Sequence, residues 1–225
     1  MTIRTLDQHV VLLFGPQALS FDEKAFSQLR EAVLNSAENR WVVDVIDELP
    51  TFWTTLSERF PKLGAIPGVE LLGGLKDWLN TGRVAPIKQT LPNILLSPLV
   101  VITQLTQYTQ YLRIRHPDAH GETLYNNSTR SSTEAVGFCT GLLSALAVSS
   151  STNKTEFQKY AAVAVRLATL IGAIVDAQDV TNHEESESLA VVWNTPGAQS
   201  EFTRILQQFP EVISCVVFVY SGLKS

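Results

Sequence analysis

Hydrophobic and polar positions switch between a period of two and a period near 3.6 along this chain, and the switches mark its elements. Residues 9–14 (HVVLLF) form a compact apolar run closed by Gly15-Pro16, which predicts a fully buried strand ending in a turn. Ser20, three residues before Glu23, supplies a capping-box start for a helix to about Asn35. Helical spacing resumes over residues 37–60, where Pro50 predicts a break or restart. A Pro- and Gly-punctuated section, residues 61–92, holds one short amphipathic helix over 69–80. Residues 99–115 predict a long helix whose end carries Arg113 and Arg115, the charge sign that a helix C-terminus favours.

Residues 117–132 are polar and read as loop, and 133–138 as a strand. Residues 141–148 then predict a helix of small and apolar residues, and 155–175 a second, mostly buried helix. An acidic, serine-containing linker (DAQDVTNHEESES) fills 176–188. Beyond it come LAVVW (189–193), Thr195-Pro196 as N-cap and first helical residue, a helix to about Phe209, and the apolar run VISCVVFVY (212–220). That is a β-α-β unit, so the expected organisation is a large α/β region over 1–180 and the first half of a small α+β subdomain over 189–225.

Composition narrows the function classes. A 45% hydrophobic, 17% charged chain of 225 residues is of ordinary globular make-up. A net charge of −5 argues against a dedicated binder of nucleic acid or anionic membrane, which would carry a basic stripe. The two cysteines, Cys139 and Cys215, are too few for a disulfide scaffold and fit a reducing compartment, and the polar residues 1–7 carry no leader pattern; a cytoplasmic location is expected. The greasiest stretch, 91–105, is interrupted by Asn93, Ser97, Pro98, Thr103 and Gln104, and reads as a buried helix rather than a membrane span. Glu184, Glu185 and Glu187 read as a solvated run, without the histidine or calcium-loop glycine of a metal site.

The candidate chemistry sits at Gly137-Phe138-Cys139-Thr140-Gly141, between the predicted strand and the small-residue helix. A nucleophile with glycines two positions to either side suits a sharp strand-to-helix turn that presents the central side chain at its tip. With cysteine there, the attacking group is a thiolate. Together with Phe14-Gly15-Pro16-Gln17, the helix segment ITQLTQY around Gln104, the run GFCTGLLSALAVSSS and the helix ending AVRLATLIGAIVD, this motif resembles the starter-unit:acyl-carrier-protein transacylase domain at the N-terminus of fungal non-reducing polyketide synthases, within the malonyl-transferase type of acyltransferase. The resemblance spans nearly the whole chain.

It implies an acyltransferase-like hydrolase core with a parallel sheet and many helices, plus an incomplete ferredoxin-like subdomain. It also implies that Cys139 takes an acyl group from coenzyme A and passes it to the phosphopantetheine thiol of an acyl carrier protein, with no permanently bound cofactor and with the rest of a polyketide synthase as partner. The family's oxyanion donors correspond to the backbone N–H groups of Thr140 and Gln17, although the family more often has Gly-Asp-Gln where this chain has Gly15-Pro16-Gln17. Gln104 resembles a pocket glutamine. Leu170 stands where malonyl transferases carry a carboxylate-binding arginine, with Arg166 one turn earlier, which favours a neutral acyl group. The family's general base is a histidine beyond Ser225. Of the four histidines, His9 opens the first strand at the end opposite the expected site, and His183 sits in the acidic linker. His116 and His120, in the loop before the nucleophile strand, are therefore the only possible stand-ins. The chain is therefore expected to be a truncated portion of a longer synthase. A non-catalytic remnant or interaction module with the same fold, and more distantly a thioesterase using the same turn, stay open beside the transferase.

Overall fold

A computed structural model describes residues 10–16, 21–83, 91–125, 133–181, 201 and 204. The chain divides into two units, Met1–Glu184 and Glu185–Ser225. In the second, residues 201 and 204 are helical and Arg204 forms an ion pair with Glu201 one turn before it. The predicted runs 189–193 and 212–220, with Cys215, lie outside the described residues.

In the first unit β1 (Val10–Phe14) and β2 (Thr133–Gly137) pair in parallel, with Val10 opposite Thr133 and Phe14 opposite Gly137. Side chains alternate across β1. Phe14 is buried and Leu12 packs against the core, whereas Val11 and Leu13 are exposed, as is Val136 on β2. The reading of β1 as buried on both faces does not hold among the described residues, because helices cover only one face of this pair.

Helices make up the rest: α1 (Glu23–Leu34), α2 (Arg40–Arg59), α3 (Gly68–Thr81), α4 (Asn93–Arg115), α5 (Gly141–Ser149) and α6 (Lys154–Thr181). The cap of α1 is Asp22, whose carboxylate accepts from the Ala25 N–H at 2.7 Å, and not the Ser20–Glu23 box. Asp22 is the residue immediately before the helix, so its carboxylate reaches an unpaired first-turn donor directly. Pro50 does not interrupt α2. Trp41, Val42, Val45, Ile46, Leu49 and Trp53 form one buried stripe that passes it. A proline within a helix costs about 3 kcal/mol, but each large apolar side chain buried contributes roughly 1.5–3 kcal/mol, so packing prevails.

α4 starts six residues before its predicted boundary and packs antiparallel on α6, with the Tyr108 and Phe157 rings 5.5 Å apart near one end and Asn93 against Asp176 at the other. Gly172 permits the approach, since a Cβ there would stand 2.1 Å from the Asn93 carbonyl oxygen. The acidic linker begins later than its charge suggests. α6 continues to Thr181, and Asp176 accepts from the Asn93 N–H (2.9 Å), the Asn93 side-chain amide (2.9 Å) and the Ile94 N–H (2.8 Å). A carboxylate on the neighbouring helix thus satisfies donors that α4 leaves open at its positive end. Over Lys154–Ala177, α6 is long and apolar enough to cross a membrane by length and composition, a test that core helices also pass. Here Phe157, Ala161, Val165, Ala168 and Ala173 are fully buried within the unit.

Candidate active site

The two strands end side by side, and the segments that continue from them build the site. After Gly137 the ladder gains one more rung, Phe138 N–H to the Phe14 carbonyl at 3.0 Å, before the chain turns. Cys139 occupies the turn with φ of 55°, alone among the described non-glycine residues in having a positive φ. Left-handed backbone disfavours a side chain by roughly 1–2 kcal/mol, so the surroundings must impose it. They do so from both sides: the Gly141 N–H binds the Phe138 carbonyl and the Leu142 N–H binds the Cys139 carbonyl, each at 3.0 Å, starting α5 at once. The Cys139 thiol is exposed at the tip, its Sγ 3.7 Å from the Thr140 Oγ1.

Both motif glycines are required by close approach. A Cβ on Gly137 would lie 2.3 Å from the Gly141 carbonyl oxygen, and one on Gly141 would lie 2.2 Å from the Phe14 and 2.4 Å from the Gly15 carbonyl oxygens. β1, the turn and α5 are therefore in direct backbone contact. Thr140 is half-buried, and its N–H meets no acceptor among the described residues. It lies at the positive end of α5, where developing negative charge is favoured.

Gln104 comes from α4 beneath this edge. Its Nε2 donates to the Gly15 carbonyl at 2.8 Å, and its Oε1 accepts from the fully buried Ser144 hydroxyl of α5 at 2.7 Å. Ser144 was missed by sequence reasoning; the available signal was a hydroxyl on the buried face of a helix otherwise made of small apolar residues. Gln17 lies outside the described residues. Leu170 is half-buried against the core, whereas its neighbour Ile171 is exposed. Arg166 forms an ion pair with Glu48 of α2, which occupies its charge.

Neither histidine considered as a stand-in base reaches the thiol's end of the sheet. From Gln104, α4 leads away along β1, with Tyr108 and Tyr111 sharing a groove with Leu12. His116 lies past the end of that helix, about 18 Å further along its axis at 1.5 Å per residue. His120 comes next in the same connection, near residues 122–125, where Glu122 binds the Lys154 N–H at the start of α6.

Comparison with known proteins gives the family. Residues 12–214 match the family described as "Starter unit:ACP transacylase in aflatoxin biosynthesis". The chain is 50% identical over 212 residues to the non-reducing polyketide synthase pigA of Monascus ruber, covering 93% of this chain and 8% of that protein. It is 50% identical over 205 residues to the non-reducing polyketide synthase tazA of Aspergillus terreus, covering 89% and 8%. It is also 41% identical over 203 residues to clavatol synthase claF of Penicillium crustosum, covering 89% and 8%. The chain thus spans about 8% of the length of these curated relatives. On the match over residues 12–214 and identities reaching 50%, the chain belongs to the starter-unit:acyl-carrier-protein transacylase family.

Proposed function

We propose that this chain carries the nucleophile half of an acyltransferase that loads a starter unit in polyketide biosynthesis. The observation that supports it most directly is Cys139, exposed and held at positive φ where the strand meets α5. In the first half-reaction the Cys139 thiolate attacks the carbonyl of an acyl-coenzyme A. The new carbon–sulfur bond forms, the bond to the coenzyme A sulfur breaks, and coenzyme A leaves as a thiol after taking a proton. In the second, a carrier protein's phosphopantetheine thiol attacks the Cys139 thioester, takes the acyl group and returns the cysteine.

The tetrahedral oxyanion of each half-reaction is stabilised by the Thr140 N–H, supported by its place at the head of α5, and by the Gln17 N–H of the loop after β1. A neutral acyl group suits the site, because Arg166 is engaged by Glu48 and Leu170 offers no charge to pair a carboxylate. The general base is a histidine from another part of a longer synthase, in a cytoplasmic setting. In this reading residues 189–225 belong to a ferredoxin-like subdomain and residues 1–180 to a hydrolase-like core.

Incubation of the chain with acetyl- or hexanoyl-coenzyme A at mildly alkaline pH, followed by intact-mass and peptide mapping, tests the reading. A single acyl adduct on Cys139, absent in Cys139→Ala, is the expected result. A folded chain that gains no adduct sinks the transferase and leaves the non-catalytic remnant.

A further inference from the structure

We propose that Gln104 and Ser144 form a positioning device, tying the end of β1 to the helix behind the nucleophile so that the loop after β1 and Cys139 keep one fixed separation. The inference rests on the acyltransferase reading above and adds to it how the two halves of the oxyanion site stay in register.

The orientation of the Gln104 amide is forced. The Gly15 carbonyl oxygen can only accept, so the end of the amide facing it at 2.8 Å is the NH₂ group, and the oxygen faces the Ser144 hydroxyl at 2.7 Å. Both ends of the side chain are therefore committed within the protein. In this proposal Gln104 acts as a brace at the pocket that its resemblance implied. Ser144 has no exposed surface and lies one turn and a residue beyond Cys139 on the helix that the nucleophile turn starts. A buried hydroxyl left without its acceptor would be disfavoured, so this pair resists separation of α4 from α5.

The brace holds the last described carbonyl of the β1 loop. The ladder ends with the Phe14 carbonyl, so no strand partner orients Gly15. Gly15 has no side chain of its own to hold it, and its carbonyl oxygen lies close against Gly141. Gln104 fixes that peptide plane, and the next residue is Pro16, whose ring fixes φ. Between the clamped Gly15 carbonyl and the peptide bond after Pro16, only ψ of Pro16 remains soft. That peptide carries the second oxyanion donor of the proposed mechanism. Pro16, where the family more often has aspartate, thus stiffens the loop while leaving that N–H in place.

Acyl transfer and alkylation separate this role from general packing, because attack on a thioester passes through an oxyanion and attack on iodoacetamide does not. Cys139 acylation by acetyl-coenzyme A and alkylation by iodoacetamide are followed by mass on the 225-residue chain and its Gln104→Met, Ser144→Ala and Pro16→Ala variants. The expected result is acylation slowed about 10- to 100-fold in Gln104→Met, about tenfold in Ser144→Ala and a few-fold in Pro16→Ala, with alkylation changed less than about twofold. Pro16 is exposed, so that variant reports even if the buried ones unfold. Equal slowing of both reactions, or acylation at the parent rate in all three, overturns the brace and leaves the transferase standing. No acylation of the parent chain removes both.

Discussion

At Cys139 the chain accepts an unfavourable backbone angle in order to project a thiol from the join of strand and helix. The angle persists because neighbouring backbone atoms leave no alternative, and the two glycines are part of that enclosure. Gly141→Ala would drive a methyl group into the Phe14 and Gly15 carbonyl oxygens, neither of which is the movable end of a side chain. We expect this substitution to lower folding stability by about 3 kcal/mol or more in urea denaturation. Gly74→Ala, within α3 and facing open space, should instead raise it by about 0.5–1 kcal/mol. A gain in both variants would mean that helical propensity, not contact at the turn, governs Gly141. The glycine spacing was legible from the sequence because it reflects a local steric need. Gln104 could be assigned to the pocket only through its resemblance, and its hydrogen-bond partners, 89 and 40 positions away, left no local trace.

Among the elements, α4 and α6 depend on one another through Asp176. The carboxylate takes three hydrogen bonds from the first residue of α4 and its successor, and it does so where the helix presents positive charge. Asp176→Ala should cost about 2 kcal/mol of stability, and Asp176→Asn about half as much, by chemical denaturation. Amide hydrogen exchange should speed at Asn93 and Ile94 ahead of the α4 interior. Uniform exchange along α4 in the variant would instead assign Asp176 a general packing role. Sequence periodicity located both helices but misjudged their ends. Asp176 reads as linker because acidic residues come after it, and its capping role exists only once α4 is beside it. Pro50 errs in the other direction: a strong local breaker is overruled by an apolar stripe that has value only when buried.

At the scale of the whole unit, acid sensitivity has an identifiable contributor in Glu38. Burial raises its pKa, but the hydrogen bonds from its own backbone N–H and from Ser36, with the Arg113 charge, outweigh that and hold it below the ordinary 4.5. A carboxyl with a lower pKa folded than unfolded stabilises the fold above the unfolded value, and this contribution is lost as pH falls through the folded one. The melting temperature should therefore drop as pH is lowered below about 4.5. Glu38→Gln should have a lower melting temperature at neutral pH and a shallower acid slope. Parallel slopes for the two proteins would remove Glu38 from the account.

The class of fold, the location of the turn at Cys139 and the family were all set by the order of residues along the chain. Strand runs, helical spacing and a glycine-flanked cysteine are local patterns whose steric and solvation causes act within a few residues. The Gln104–Ser144 brace, the Asp176 cap, the engagement of Arg166 by Glu48 and the distance of His116 from the thiol were decided by tertiary structure alone. Each depends on where a second element comes to rest, and a hydrogen bond or an ion pair between distant residues leaves no periodic trace in either segment.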